Sequence, residues 1–145
     1  MTPVTKLLLL IIGLFLFFTV RSMRAQTTKP DEIRIAPAEA ATRVKAGTAI
    51  LIDVREPKEW TPGVAAPAYL LPLSDLRGAR KKWAHVLEDA KGKELLLYCR
   101  SGNRSGQAAA ILAKQGFKTA NVGGFNEWQA AKLPTRKPDE PAGNE

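Results

Sequence analysis

Two short, mostly apolar runs constrain the fold of this chain more than any other feature of its sequence. Residues 49–54 read Ala-Ile-Leu-Ile-Asp-Val, and residues 94–98 read Glu-Leu-Leu-Leu-Tyr. Runs of this length without polar alternation are typical of strands buried on both faces, as in a parallel sheet covered by helices. We therefore predict two central strands with helices packed against both sides of their sheet.

The segments around these strands carry helical periodicity or turn signals. Pro37 fits the first turn of a helix, and Ser74 has the side chain of an N-cap. We predict helices at residues 37–45, 74–90, 104–115 and 125–132, one helical turn at 56–60, and shorter strands at 69–71 and 118–122. Strands that alternate with helices predict βαβ units, and hence one α/β domain with a parallel sheet.

The N-terminal segment has the composition of a targeting sequence, with an apolar run at residues 7–20. As a helix this run would span about 21 Å, which is less than the hydrocarbon core of a bilayer at about 30 Å. We therefore predict that residues 1–25 are a signal peptide and that the protein is periplasmic or secreted. Arg21 and Arg24, just after the run, leave open an uncleaved N-terminal helix that attaches the protein to a membrane.

Composition shifts divide the rest of the chain into three parts. Residues 26–32 are polar and include Pro30, which predicts a linker. Residues 33–133 are enough for one domain with its own core and too few for two. Residues 134–145 hold three prolines and no hydrophobic periodicity, so we predict a disordered tail there.

The formal net charge is +8, and without residues 1–25 it is +5 (19 basic against 14 acidic residues), a mild excess that favours anionic small molecules or an acidic partner. The densest basic stretch contains Arg77, Arg80, Lys81 and Lys82 and falls within a predicted helix, either as a solvated face or as a partner surface. Aromatic residues are not interleaved through it, as they would be in a surface that binds single-stranded nucleic acid. We therefore predict no nucleic-acid partner.

The cysteine and histidine content limits the chemistry. Cys99 is the one cysteine, so the chain cannot form an internal disulfide. His85 is the one histidine, and a zinc site needs three or four ligands, so we predict no metal and no other cofactor. His85 lies in a helical pattern and is better explained as a surface or packing residue than as a base.

Cys99 stands where the second central strand ends and a predicted helix is about to begin. In parallel sheets this edge carries the functional site. A strand–loop–helix turn points backbone N–H groups at such a residue, and the helix N-terminus, Arg100 and Arg104 add positive charge. Gly102 allows the loop a conformation that other residues avoid. These terms favour a reactive thiolate over a buried structural thiol, which is the alternative reading of a lone cysteine.

Residues 99–104, Cys-Arg-Ser-Gly-Asn-Arg, resemble the Cys-x-x-Gly-x-Arg active-site loop of single-domain members of the rhodanese family. Residues 53–60, 105–117 and 123–128 resemble other segments of that family, so the resemblance covers residues 33–133. It implies a rhodanese-like fold, with a five-stranded parallel sheet flanked by helices on both faces. It departs at Val64, where family members often have histidine, and this bears on how the loop beside the site is braced.

The resemblance also implies roles for individual residues. Cys99 would be the catalytic sulfur acceptor, and the substrate would lie against backbone N–H groups of the loop. Asp53 and Arg55 would be structural polar residues near the site. The residues expected to bind substrate are Arg100, Ser101, Gly102, Asn103 and Arg104.

The activity implied is that of a thiosulfate sulfurtransferase, which moves sulfur from a small anionic donor to a thiol or cyanide through a Cys99 persulfide. A protein could also be the sulfur acceptor. One alternative is a sulfur carrier or partner-binding module without turnover. A phosphatase or arsenate reductase is disfavoured, because those enzymes place five residues between cysteine and arginine, whereas four separate Cys99 from Arg104.

Overall fold

The structure is a computed structural model that describes residues 32–142. The predicted signal peptide or anchor at 1–25, and all but the last residue of the predicted linker at 26–32, lie outside the described residues. Within residues 32–142, no helix has both the length and the apolar character needed to cross a membrane.

The described residues form five α-helices, one 3-10 turn and six strands. In order, they are α1 (Pro37–Lys45), β1 (Ala49–Asp53), a 3-10 turn (Pro57–Glu59), β2 (Val64–Ala65), β3 (Ala68–Leu70), α2 (Leu73–Arg77), α3 (Trp83–Asp89), β4 (Glu94–Cys99), α4 (Asn103–Ala113), β5 (Thr119–Gly124), α5 (Phe125–Ala130) and β6 (Thr135–Arg136).

The main sheet is parallel, with the strand order β3-β1-β4-β5. The segment before α1 adds a single parallel bridge at its edge, between Arg34 and Asn121. There the N–H of Ile35 donates to the carbonyl of Asn121 at 3.0 Å. The predicted α/β class is confirmed. In the described residues the main sheet has four strands and this single bridge, where the resemblance implies five strands.

Side chains of the central strands enter two separate cores, one on each face of the sheet. Leu95, Leu97 and Cys99 of β4 pack with α2, α3 and α4. Leu96 and Tyr98 of the same strand pack with α1 and α5. Because successive side chains of a strand point to opposite faces, Cys99 and its neighbour Tyr98 belong to different layers.

The single helix predicted at 74–90 is wrong, because the structure has α2 and α3 with a turn between them. The backbone reverses at Gly78 and at Arg80, whose φ is +55°. This turn lets Trp83 become fully buried, with its indole N–H donating to the carbonyl of Pro72 at 3.0 Å. Ser74 does not cap the helix, and its hydroxyl donates instead to Glu56 at 2.7 Å.

The predicted disordered tail is also wrong for its first residues, because Thr135 and Arg136 form β6, which pairs antiparallel with β2. The Arg136 guanidinium donates to the carbonyls of Ala66 and Ala68 at 2.9 and 2.8 Å. Val64 lies fully buried in β2. The loop in which family members often have histidine is therefore braced here by the C-terminal segment.

Candidate active site

Cys99 is the last residue of β4, and α4 begins four residues later at Asn103. Gly102 makes the reversal with a φ of +93°, in the left-handed region that favours glycine. This conformation places the Gly102 N–H so that it donates to Cys99 Sγ at 3.1 Å. The Ser105 hydroxyl lies 3.5 Å from the same sulfur. The sequence therefore folds into a turn that points donors at the cysteine.

The surroundings of Cys99 favour its ionised form. Burial alone raises the pKa of the thiol, because Cys99 is only 1% exposed. Hydrogen bonds from the hydroxyl and N–H of Ser105 and from the N–H groups of Ser101 and Gly102 act in the opposite direction. Their combined effect is larger, so the pKa of Cys99 lies below that of an ordinary thiol. The site can thus hold a nucleophilic thiolate.

The residues expected to bind substrate occupy different positions around this sulfur. The backbone N–H groups of Ser101 and Gly102 stabilise the Cys99 sulfur. The N–H of Ser105, a residue not predicted to bind substrate, does the same. The side chains of Arg100 and Asn103 are at the surface.

Arg104 points to Glu59, with guanidinium–carboxylate distances of 2.6 and 2.7 Å. Glu59 also accepts the N–H of Glu56 at 2.9 Å and so fixes the 3-10 turn beside the loop. The hydrogen bond from Arg104 is the main reason that the pKa of Glu59 falls to about 2. Because Glu59 is ionised at neutral pH, the charge of Arg104 is already matched. Arg104 thus braces the loop against the 3-10 turn, and Arg100 is the more available cation.

Asn121 on β5 locks the cysteine loop from the other side. It is 1% exposed, its Oδ1 lies 2.7 Å from the Ser105 hydroxyl oxygen, and the same Oδ1 accepts the Gly123 N–H at 2.9 Å. Its Nδ2 donates to the Gly102 carbonyl at 2.8 Å. The sequence alone does not point to Ser105 or Asn121 as site residues. The sequence does place the amide side chain of Asn121 in the middle of a predicted strand, and a buried amide must find hydrogen-bond partners.

The end of β5 approaches the loop too closely for a side chain. A Cβ on Gly124 would lie 2.6 Å from the carbonyl oxygen of Arg100. Gly123 has a φ of +94°. These two positions let β5 lie against the residue that follows Cys99, which explains the glycine pair in the sequence.

Asp53 and Arg55 lie together under the site as a buried ion pair. Arg55 Nη2 is 2.7 Å from Asp53 Oδ2, and the Tyr98 hydroxyl donates to the same oxygen at 2.6 Å. Burial, followed by the charge of Asp53, raises the pKa of Tyr98, so its hydroxyl remains a donor. Arg55 also donates to the carbonyl of Glu59 at 3.0 Å and thereby supports the turn that holds Arg104. The pair therefore connects the end of β1 to Tyr98 and to the 3-10 turn.

Residues 32–142 contain no group of three or more histidine, cysteine, aspartate or glutamate side chains that could hold a metal ion. His85 is 84% exposed on α3, and its Nδ1 lies 3.0 Å from Asp89. It therefore has the surface position expected for it.

A parallel α/β sheet with a cysteine sulfur facing main-chain N–H groups at a strand end is the arrangement of cysteine-dependent proteins whose strand–loop–helix turn can bind a small anion. The model of the rhodanese-like domain family matches residues 36–131 of this chain. The protein therefore belongs to the rhodanese-like domain family.

Individual relatives agree with this membership. A sulfurtransferase of Allochromatium vinosum is 34% identical over 92 residues, covering 62% of this chain and 80% of that protein. An uncharacterised Bacillus subtilis protein is 33% identical over 133 residues, covering 90% and 97% of the two chains. An uncharacterised Synechocystis protein is 38% identical over 107 residues, and this chain spans only 56% of its length.

A solved structure supports the same fold. The crystal structure of a rhodanese-related protein from Thermoplasma volcanium has a TM-score of 0.60 and 28% identity. The match covers 72% of this chain and 97% of that one. The human single-domain sulfurtransferase, at 21% identity and a TM-score of 0.54, shares the fold.

Proposed function

We propose that this protein transfers sulfane sulfur from an anionic donor such as thiosulfate to a thiophilic acceptor, through a persulfide on Cys99. The observation that carries the proposal is the Gly102 N–H, 3.1 Å from a sulfur whose pKa is lowered by the loop. Main-chain donors stabilise a thiolate before the reaction and the terminal sulfur of a persulfide after it. Relatives named sulfurtransferase agree with this chemistry.

The first step loads the cysteine. The Cys99 thiolate attacks the outer sulfur of thiosulfate. The S–S bond of thiosulfate breaks, and its electron pair leaves with sulfite. The product is a persulfide whose terminal sulfur carries the negative charge. In the second step an acceptor thiol, or cyanide in an assay, attacks that terminal sulfur and releases the Cys99 thiolate. Neither step requires a metal or an organic cofactor.

The position of Arg104 favours this reaction over phosphate chemistry. A phosphatase needs its loop arginine to contact the phosphate oxygens. Here both terminal nitrogens of Arg104 are bound by Glu59. The loop can therefore surround one sulfur atom with its N–H groups. It does not present the free guanidinium that a tetrahedral phosphate would need.

Treatment of the full chain with thiosulfate tests the proposal. We expect the intact mass to rise by one sulfur atom, with one equivalent of sulfite released, and the Cys99→Ser variant to show neither change. Because the thiolate is the nucleophile, the loading rate should rise with pH and level off above the pKa of Cys99. Its midpoint should lie below the pKa of a free cysteine, about 8.5.

Unchanged mass in the wild-type protein, with the fold verified by circular dichroism, would overturn the proposal. Equal loading of Cys99→Ser would move the chemistry to another residue. A persulfide that forms fully, yet gives little thiocyanate with cyanide, would assign the protein to the alternative role of sulfur carrier.

Arg100 should contribute to donor binding, because its side chain is exposed beside Cys99 and Arg104 is paired. Arg100→Ala should raise the KM for thiosulfate about three- to tenfold, the scale of one exposed charge interaction of about 1 kcal/mol. The kcat should change little, since the interaction is made equally in the ground and transition states. Lys114→Ala, at the other end of α4, is the matched control. Equal KM values for Arg100→Ala and the control would contradict the assignment.

The predicted export of the protein, with residues 1–25 as signal peptide or membrane anchor, remains part of the proposal. Fractionation of the native host into periplasm, membrane and cytoplasm, with detection of the domain by antibody, tests it. Recovery in the cytoplasm alone would contradict it.

A further inference from the structure

We propose that four basic side chains beside the cysteine loop form a docking surface for an acidic protein segment whose cysteine accepts the sulfur from Cys99. These side chains, Lys58, Arg77, Lys81 and Lys82, are all exposed and are called the basic rim below. The inference rests on the proposed function and adds to it the chemical class of the acceptor.

Arg77, the first member of the basic rim to consider, is linked to the cysteine loop by hydrogen bonds to α4. The Arg77 guanidinium donates to the side chain of Gln107, and Gln107 donates to Asn103, the first residue of α4. Leu76, the residue before Arg77, packs in the same core cluster as Cys99 and Leu112 of α4. Arg77 is therefore fixed at the end of α4 that carries the cysteine loop.

Two further members of the basic rim, Lys58 and Lys82, lie at or beside the 3-10 turn. Lys58 lies in this turn, next to Glu59, which binds Arg104 of the loop. Lys82 Nζ is 5.9 Å from the ring centroid of Trp60, which follows Glu59. The rim thus combines residues from the 3-10 turn and from the α2–α3 segment around one end of α4.

The acidic side chains in these segments are already engaged. Glu59 is bound by Arg104, and Glu56 accepts the hydroxyl of Ser74 at 2.7 Å. The Asp75 carboxylate accepts the backbone N–H groups of Lys81 and Lys82 at 3.2 and 2.9 Å. Within residues 32–142, none of the four basic-rim side chains belongs to an ion pair. Their charges are therefore available to a partner.

The arrangement fits an extended acidic segment better than a small anion. A small donor contacts one or two cations, whereas a peptide can contact cations on both segments at once. Cys99 is only 1% exposed, so an acceptor must bring a thiol into the loop from outside. Complementary charge around a recessed reactive atom raises the rate of productive encounter.

The transfer step is balanced without a further reactant. The acceptor thiol gives its proton to the negatively charged terminal sulfur of the Cys99 persulfide. The resulting thiolate attacks that sulfur, and a new S–S bond forms on the acceptor. The bond between the two sulfurs on Cys99 breaks, and its electron pair remains on Cys99 as thiolate. The transferred sulfur keeps its proton, and no net oxidation occurs.

The experiment uses the full chain loaded with thiosulfate and then desalted, so that the donor step does not enter the measured rate. Three synthetic peptides of equal length serve as acceptors, with one cysteine flanked by aspartate and glutamate, by serine and glycine, or by lysine. We expect the acidic peptide to accept sulfur at least about tenfold faster than the neutral one at low salt. The lysine peptide should be slowest. The differences between the three transfer rates should largely vanish at roughly 0.5 M salt, where charges are screened.

The Lys81→Glu/Lys82→Glu variant should lose the preference for the acidic peptide. Lys91→Glu/Lys93→Glu, at the opposite end of β4, should keep it. Equal rates for the three peptides in the wild-type protein would overturn the inference. So would binding to phosphatidylglycerol vesicles without any peptide preference, which would assign the basic rim to a membrane surface. Failure to load Cys99 at all would instead refute the proposed function, and the two results are read from separate mass measurements.

Discussion

Asp53→Ala should destabilise the protein by about 3–5 kcal/mol, because it leaves the buried charge of Arg55 without its partner. Asp53 is fully buried and accepts from the backbone N–H of Arg55 at 2.9 Å, from its guanidinium at 2.7 Å and from Tyr98 at 2.6 Å. A loss of this size is a large part of the stability of about 5–15 kcal/mol that domains usually have. Urea unfolding followed by tryptophan fluorescence measures it.

The controls separate burial from charge. Glu39→Ala removes the carboxylate of an exposed ion pair with Arg43 and should cost less than about 1 kcal/mol. Asp53→Leu/Arg55→Met removes both buried charges and should be more stable than Asp53→Ala, since no unpaired charge remains. If the free energy of unfolding of Asp53→Ala lies within about 1 kcal/mol of the wild-type value, Arg55 must find other partners or water.

Gly102→Val should slow persulfide formation about a hundredfold, the usual cost of losing one main-chain donor at a reacting centre. The φ of +93° is unfavourable for a β-branched residue, and a Cβ there would lie 3.4 Å from Gly123 Cα and 3.3 Å from Arg34. The loop can relieve this strain by rotating the Gly102 N–H away from Cys99. Single-turnover loading with thiosulfate, followed by mass spectrometry, measures the rate.

Gly116→Val is the matched control for backbone strain. Its φ is +91°, and a Cβ there meets nothing within 4 Å. It should lose stability through the same left-handed conformation, at about 1–2 kcal/mol, and still load Cys99 at the wild-type rate. If both variants load normally, the Gly102 N–H does not act on the reacting sulfur. If both load slowly, the defect is one of general stability.

Asp53→Ala and Gly102→Val alter contacts on opposite sides of the cysteine loop. Asp53 and Arg55 lie beneath the site, and Arg55 continues through Glu59 to Arg104. Gly102 is held from the opposite side by Asn121. The cysteine loop is thus fixed between the 3-10 turn and the end of β5, so its N–H groups are aligned before any substrate arrives.

The sequence by itself determined the features that depend on neighbouring residues. Unbroken apolar runs set β1 and β4 as central strands, and turn signals set α1 and α4. The position of Cys99 between a strand and a helix followed from the same local patterns, as did the need for glycine at position 102. Each of these features is specified within a few residues, where backbone sterics and hydrophobic periodicity act directly.

Only the tertiary structure decided which polar groups meet around the cysteine. Glu59 and Arg104 are 45 residues apart in sequence, and Ser105 and Asn121 are 16 apart. The break between α2 and α3, which buries Trp83, and the pairing of β6 with β2 also join segments that carry no local signal for each other. Packing brings such groups together, and burial then obliges each to find a hydrogen-bond partner, so the contacts follow from the assembled layers and not from any one stretch of sequence.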